Sequence, residues 1–337
     1  MAFYLSRPPA RGHRGQDFRT LPVERAPAEE ALLDALIRDV LARQALLREG
    51  LEEEDDPPLR TYVDSLRINT PIPAAVRALQ EALGSPLRLY REAGNPESAF
   101  RILRERAEAL GIYVLLVGNL GSHHSALSLE AFRGFAAADP IAPFVVLNDQ
   151  DSRGAWSFSL LHELTHLWLG QTGVSGGAPE SRVERYCNEV AAEFLLPRTE
   201  LLAVYPPGLE DETEVRQWVD EFSRTVNLSR TMVAFRLLAA QLVTRDQWLA
   251  LRDHYREEWI ASRDRRRELA RERESGPSYY VVKRQRLGSA LMNAAARLHQ
   301  TGALTTVKAS QILAVKPTQL GALLTGQDPS LRRRAPE

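Results

Sequence analysis

The residues best suited to chemistry lie in the stretch Phe158–Gly170, which carries the pattern His-Glu-x-x-His at His162, Glu163 and His166. Residues four apart lie on one face of a helix, so the two imidazoles can bind one metal ion. Glu163 is one step round the helix and can reach the open coordination position, where it would take a proton from a metal-bound water. The pattern also arises by chance on core helices, so the interpretation needs a third ligand.

A third ligand is predicted in the segment 179–197, which has the apolar spacing of a helix and ends at a proline. Glu184 lies at the edge of the apolar stripe, where its carboxylate can face the first helix. Two other carboxylates compete with it. Glu180 is better explained by the helix N-terminus, where negative charge is favoured, and Glu189 falls on a different face. Glu184 is therefore the favoured ligand, and Asn188, one turn on, is placed to hydrogen-bond a histidine or that carboxylate.

The sequence around these residues resembles the ImmA/IrrE-type zinc metallo-endopeptidases. The resemblance covers about residues 97–205 and rests on four segments: His162–His166, Val183–Pro197, Phe132–Phe135 and Asp139–Asn148. Carried over by position, it implies Zn²⁺ as the cofactor, with His162, His166 and Glu184 as ligands and Glu163 as the general base. Many members have a second acidic residue where this chain has Tyr186, which leaves Glu184 as the sole candidate.

The resemblance also implies a biological role. Characterised members of the family are soluble, gluzincin-like bacterial and phage-borne proteases. They cleave helix-turn-helix repressors and so switch on stress or mobile-element genes. A protein substrate of this kind is therefore the expected partner.

The elements that must position these residues predict an α+β fold. We expect a zincin-like core, made of a small sheet, the His-Glu-x-x-His helix and the Glu-bearing helix, followed by a mainly helical region with helix-turn-helix-like elements. The predicted domains are an N-terminal arm with helices, a zinc metallopeptidase core, a helical helix-turn-helix-like region and a C-terminal helical regulatory or recognition module: 1–95, 96–205, 206–275 and 276–337.

The β-branched runs Ile112–Val117 and Phe144–Asn148 predict two strands. Phe132–Asp139 is interpreted as a turn, and Tyr279–Val282 as a short strand before a helix. Zincins often bind substrate as an added strand, so an extended peptide is expected along Phe144–Leu147. Apolar periodicity predicts helices at 28–52, 73–84, 97–110, 212–224, 228–242, 246–273 and 286–301.

The residue that stabilises the oxyanion is not determined by the pattern. Tyr186, Arg133, His123 and His124 are the candidates. The adjacent side chains of His123 and His124 diverge, so this pair cannot chelate a metal ion as His162 and His166 can. Solvated loop histidines are the favoured interpretation of that pair.

Two other functions remain open. In the first, the chain is a DNA-binding transcriptional regulator with a non-catalytic zinc site, and Arg224, Arg230 and Arg236 of the helix pair at 212–242 contact phosphates. The apolar residues among them favour core packing instead, so nucleic acid is a weaker candidate as signal or ligand. The second is a non-proteolytic zinc hydrolase. An intact Glu163 argues against a structural zinc, which needs no base and usually closes its fourth position.

Composition constrains the compartment. The chain has 337 residues, a formal net charge of −1 and a single cysteine, Cys187. This charge gives no general attraction to nucleic acid or acidic membranes, and one cysteine excludes an internal disulfide framework. No apolar run approaches a membrane span, and the N-terminus lacks the apolar segment of a signal peptide. These features predict a cytoplasmic protein that does not engage a membrane.

Overall fold

The computed structural model describes residues 27–54, 56–120, 125–129, 132–175, 182–272 and 278–326. Over these residues the chain forms helices and a small sheet, which confirms the mixed α+β class. The helices are α1 (Pro27–Glu52), α2 (Ile72–Ala82), α3 (Leu87–Glu92), α4 (Pro96–Ala109), α5 (Arg153–Trp168), α6 (Arg182–Leu195), α7 (Arg198–Val204), α8 (Glu212–Thr225), α9 (Arg230–Ala239), α10 (Arg245–Glu272), α11 (Tyr279–Leu287), α12 (Ser289–Gln300), α13 (Thr306–Ile312) and α14 (Pro317–Thr325). The strands are β1 (Tyr113–Leu116), β2 (Gly134–Ala137), β3 (Phe144–Leu147) and β4 (Gly173–Ser175).

The four strands form one mixed sheet in the order β1-β3-β2-β4. β1 pairs in parallel with β3, and β2 pairs antiparallel with both β3 and β4. β3 therefore has a neighbour on each side and no free edge. The expectation that a peptide pairs with Phe144–Leu147 is wrong, because both rows of backbone groups of this strand are already used within the sheet.

The neighbour of β3 that the sequence analysis did not predict is strand β2. The interpretation of Phe132–Asp139 as a turn is wrong, since Gly134–Ala137 is a strand between β3 and β4. A Gly-Phe-Ala-Ala run has weak intrinsic β preference. Its extended form is stabilised by hydrogen-bonded ladders on both sides, which local spacing does not reveal.

Side chains alternate across the sheet and divide the apolar interior into two cores. We call the side that carries Val114, Leu116, Ala136 and Val145 the front core, where residues of α4, α5, α6, α8 and α9 pack. The opposite side, which we call the rear core, receives residues of α1, α11, α12, α13 and α14 against Tyr113, Leu115, Phe135, Phe144 and Val146. The sheet is thus covered on both faces, and α5 lies on the front.

The rear core joins the N-terminal and C-terminal helices directly. Nε of Arg43 in α1 donates to the carbonyl of Ile312 in α13 at 2.7 Å. Gln44, its neighbour in α1, donates from Nε2 to the carbonyls of Ala137 and Ala142 at 2.9 and 2.8 Å. α1 is therefore fastened both to the C-terminal helices and to the sheet.

The prediction of a short strand at Tyr279–Val282 is wrong, because these residues begin helix α11. Their β-branched and aromatic side chains favour strand locally. Packing overrides that preference: Leu287 is buried in the rear core, and Nε of Arg284 donates to the Leu323 carbonyl at 2.8 Å. Helices α3 and α7 were not expected from the spacing.

Two pairs of helices are each joined by a short turn. α8 and α9 meet at a turn in which Asn227 has φ 56°, and α13 and α14 meet at a turn in which Ala314 has φ 48°. Asn227 is buried and donates from Nδ2 to the carbonyls of Tyr90 and Ala93, at 3.0 and 2.7 Å, so the first turn is fixed to α3 and the residue that follows it. None of the described helices is long and apolar enough to span a membrane.

Candidate metal centre

Helix α5 carries the His-Glu-x-x-His pattern through the front core. All residues from Ser159 to Trp168 are buried, so His162, Glu163 and His166 lie in the interior of the protein. The helix ends at Trp168, and Gly170 follows with a φ of 66°, which allows its backbone N–H and that of Gln171 to cap the last turn. Further backbone donors from Asp64 and Leu66 satisfy the carbonyls of Leu167 and Trp168, at 3.2 and 2.8 Å.

Helix α6 packs against α5 and brings the third ligand candidate. Its buried stripe includes Glu184, Cys187, Val190, Ala191 and Phe194, and the chain leaves the helix just before Pro197. Glu184 is fully buried although it is a carboxylate. A buried carboxylate needs a compensating partner, so its position calls for positive charge nearby.

That partner is the histidine pair of α5. The Nε2 atoms of His162 and His166 lie 2.9 and 2.8 Å from the two carboxylate oxygens of Glu184, and 3.1 Å from each other. The three residues form a group whose ligand atoms all lie within 4.8 Å of one another. The structure therefore brings together the three residues that the sequence pattern singled out.

The donor set fits a metal ion. Two imidazole nitrogens and a carboxylate oxygen are ligands that zinc and related divalent ions accept. A tetrahedral ion with bonds of about 2.0–2.1 Å separates its ligand atoms by roughly 3.3 Å. The observed separations of 2.8 to 3.1 Å are close to this value, so an ion could be held with only small shifts of the side chains.

Electrostatics couples the three groups. Burial alone would raise the pKa of Glu184, but hydrogen bonds from His162 and His166 and their charges lower it to about 2. For His166 the directions are reversed: burial alone would lower its pKa, but the neighbouring Cys187, Glu184 and Glu163 together raise it well above its ordinary value. Glu184 therefore stays ionised at neutral pH, the form in which a carboxylate binds a metal.

Glu163 is fully buried and lies against strand β2. A Cβ atom built on Gly134 would lie only 2.7 Å from Oε1 of Glu163. The absence of a side chain at Gly134 thus provides the space for the carboxylate. Sequence reasoning did not identify this role, although a glycine within a strand is a known sign of close approach.

We expect Gly134→Ala to reduce activity while leaving metal binding intact. The added methyl must displace the Glu163 carboxylate, and a displacement of about 1 Å costs on the order of 10²-fold in rate. Turnover and metal content of the purified variant should be measured together. Gly94→Ala is the matched control, because nothing lies within 4 Å of its added Cβ. Equal activity of the two variants would contradict the positioning role of Gly134.

Two of the four residues considered for stabilising the oxyanion, Tyr186 and Arg133, already have partners in the structure. The single hydroxyl proton of Tyr186 is donated to the Thr70 carbonyl at 2.9 Å. Arg133 forms an ion pair with Asp151 at 3.7 Å between Nη1 and Oδ2. His123 and His124 lie outside the described residues. Tyr186 and Arg133 would each have to leave a partner to act on a substrate.

The remaining predicted neighbours are on α6. Asn188 is half-buried, and its Oδ1 is buried without a hydrogen-bond partner among the described residues, so its support of a ligand stays a prediction. Cys187 is buried beside His166, and burial raises the pKa of its thiol. Glu189 is exposed, as its position on another face predicted. Glu180 lies outside the described residues.

In this mixed α+β fold, two packed helices bring two histidines and a glutamate together. Such an arrangement is typical of metallopeptidase domains. Residues 107–238 match the family model Peptidase_M78, described as the IrrE N-terminal-like domain. This match agrees with the resemblance to the ImmA/IrrE-type proteins that the sequence pattern predicted. Comparison with curated proteins and with solved structures gave no match.

Proposed function

We propose that the protein is a zinc-dependent endopeptidase of the ImmA/IrrE type. The observation that carries the proposal is the convergence of His162, His166 and Glu184 within 4.8 Å, inside the segment that matches a peptidase family. Glu163 directly follows His162 on the same helix, and its carboxylate lies against β2. Three ligands and an adjacent base form the donor set that a catalytic zinc requires.

In this proposal His162, His166 and Glu184 hold the zinc ion. When bound, zinc polarises the scissile carbonyl and lowers the pKa of water. Glu163 accepts a proton from the attacking water at its carboxylate and returns it to the leaving amine. Its burial keeps solvent away from that carboxylate, so the proton passes to the product.

A structural role of the metal is less well supported. Structural zinc sites usually close all four positions with protein ligands, mostly cysteine and histidine. The group found among the described residues has three ligands and includes a carboxylate. A structural site also has no use for a general base such as Glu163, whose carboxylate fits only because residue 134 is a glycine.

Edge strand β4 is the better candidate for peptide pairing. Within the described residues β4 pairs with β2 alone, so its second row of backbone groups is available. Ser175 of β4 is in register with Gly134 of β2, the residue that contacts Glu163. Neighbouring strands lie about 4.8 Å apart, so a peptide added to β4 would run two spacings, roughly 10 Å, from Gly134.

The cluster is closed to solvent. His162, Glu163 and Glu184 are 0% exposed and His166 is 3% exposed. A peptide bond can reach them only after the surrounding elements move. We therefore propose a selective protease with low activity on arbitrary chains, acting in the cytoplasm on a helix-turn-helix repressor in stress or mobile-element control, as the family resemblance implies.

The alternative of a DNA-binding regulator gains little support from α8 and α9. Arg236 is buried and paired with Glu193 at 2.5 Å. Arg230 is paired with Asp220 and Glu258, at 3.3 and 2.7 Å. Two of the three arginines expected to meet phosphates are thus already neutralised by the protein.

The test is to incubate the zinc-loaded protein with the helix-turn-helix proteins encoded nearest to its gene and to map fragments by mass spectrometry. We expect cleavage of one such protein at one site and slow cleavage of casein. Efficient digestion of casein with no cleavage of the candidates would indicate a general peptidase. No cleavage of any protein would refute the enzymatic proposal.

A further inference from the structure

A second recessed site lies on the rear side of the molecule, away from the metal cluster. It is a groove of about 680 Å³ between α1, the start of α11 and the turn that joins α13 to α14. Its walls include Arg43 and Leu46 of α1 and Val315, Lys316 and Gln319 of the turn and α14. Nothing in the proposed peptidase chemistry uses this groove.

Arg43 is the unusual residue of the groove. Its side chain is 6% exposed, which is rare for arginine. Nε donates to the Ile312 carbonyl at 2.7 Å, and Nη1 lies 3.6 Å from Oδ2 of Asp39. Nη2 is buried and has no hydrogen-bond partner among the described residues. A buried charged donor without an acceptor is costly, so an acceptor bound in the groove would remove that cost.

The surroundings of Arg43 add positive charge. Lys316 lines the groove and is the N-cap residue of α14, so the positive end of that helix dipole also faces the groove. Burial and the charges of Arg43 and Arg286 lower the pKa of Lys283 to about 8, although Asp39 opposes this effect. Asp39 is the one acidic residue among those that line the groove, and its side chain is 51% exposed.

We propose that this groove binds a small organic anion, whose carboxylate or phosphate oxygens accept hydrogen bonds from Arg43 and face Lys316. Guanidinium groups bind both kinds of oxyanion through paired N–H donors. The apolar part of the ligand would lie against Leu46 and Val315, which form the less polar wall. The ligand would connect α1 to α13 and α14, and so join helices from both ends of the chain.

Binding is tested by calorimetric titration of the full chain with three probes of similar size: phenyl phosphate, benzoate and benzyl alcohol. We expect saturable binding of one molecule of phenyl phosphate or benzoate per chain, and none of benzyl alcohol. The comparison of the two anions identifies the phosphate or the carboxylate as the preferred group. Ionic strength is held constant, since exposed charges are screened by salt.

Two variants locate the binding. Lys316→Ala changes an exposed side chain and should weaken anion binding on the order of tenfold. Lys308→Ala is the matched control, because Lys308 lies on α13, pairs with Glu49 at 2.8 Å and does not line the groove. Arg43→Gln should abolish binding, and a folded Arg43→Gln that binds either anion like wild type would overturn the proposal; if this variant does not fold, Lys316→Ala provides the test. Failure of both anions to bind, or equal binding to wild type and Lys316→Ala, would overturn the proposal.

Discussion

Glu163→Gln should retain zinc and the folded structure but lose turnover by a factor on the order of 10²–10⁴. Glutamine has nearly the same shape as glutamate, so it fits the space beside Gly134, but its amide cannot accept the proton of the attacking water. The three proposed ligands are unchanged. Turnover on the cleaved partner and zinc content by metal analysis would be measured on the same preparation.

Glu189→Gln provides the control for this experiment. Glu189 lies on α6, five residues beyond Glu184, but is exposed on another face. The Glu189→Gln substitution replaces a carboxylate by an amide near the site and leaves the proposed base, Glu163, unchanged. Glu189→Gln should turn over substrate like wild type. If Glu163→Gln also turns over substrate within a few-fold of wild type, Glu163 is not the general base.

The second large effect is expected from Glu184→Ala, which should no longer retain zinc through purification. The substitution removes one of the three proposed ligands and also the buried negative charge that faces His162 and His166. Changes to residues that merely support a ligand cost about 10–100-fold in metal affinity, so loss of a ligand should cost more. Affinity would be measured by competition with a chelator.

His162→Ala should behave in the same way, and Glu189→Ala should bind zinc like wild type. Melting temperature measured with and without zinc separates loss of the metal from loss of the fold, because an ion that binds only the native state stabilises it. One zinc per chain with unchanged affinity in Glu184→Ala would show that another residue is the third ligand.

The local part of the site could be predicted from the sequence. His162, Glu163 and His166 lie within five residues of one helix, and helix geometry alone fixes their relative directions. Glu184 required one further assumption, that its helix packs against α5. The apolar stripes of both helices made this packing expected, and the structure places the three side chains together.

The parts that could not be predicted depend on distant contacts. Gly134 matters because β2 passes Glu163, and β2 exists because β3 and β4 pair with it. Without β2, β3 was assigned a free edge that it does not have. Similarly, Tyr279–Val282 has the residue types of a strand but begins helix α11, which is anchored in the rear core by Leu287. In each case a tertiary contact outweighs the local preference.

The rear core has a consequence for the order in which the chain can fold during synthesis. Arg43 and Ile312 are hydrogen-bonded although they are 269 residues apart along the chain. Strand β3 is complete at Leu147, but Leu320 and Leu323, which belong to the same rear core, are made near the end. At about 5–20 residues per second, the ribosome needs roughly 10–35 s to pass from Leu147 to Leu323. During that interval the nascent sheet presents Phe135, Phe144 and other apolar side chains to solvent, so chaperones should associate with the growing chain until α14 has left the ribosome.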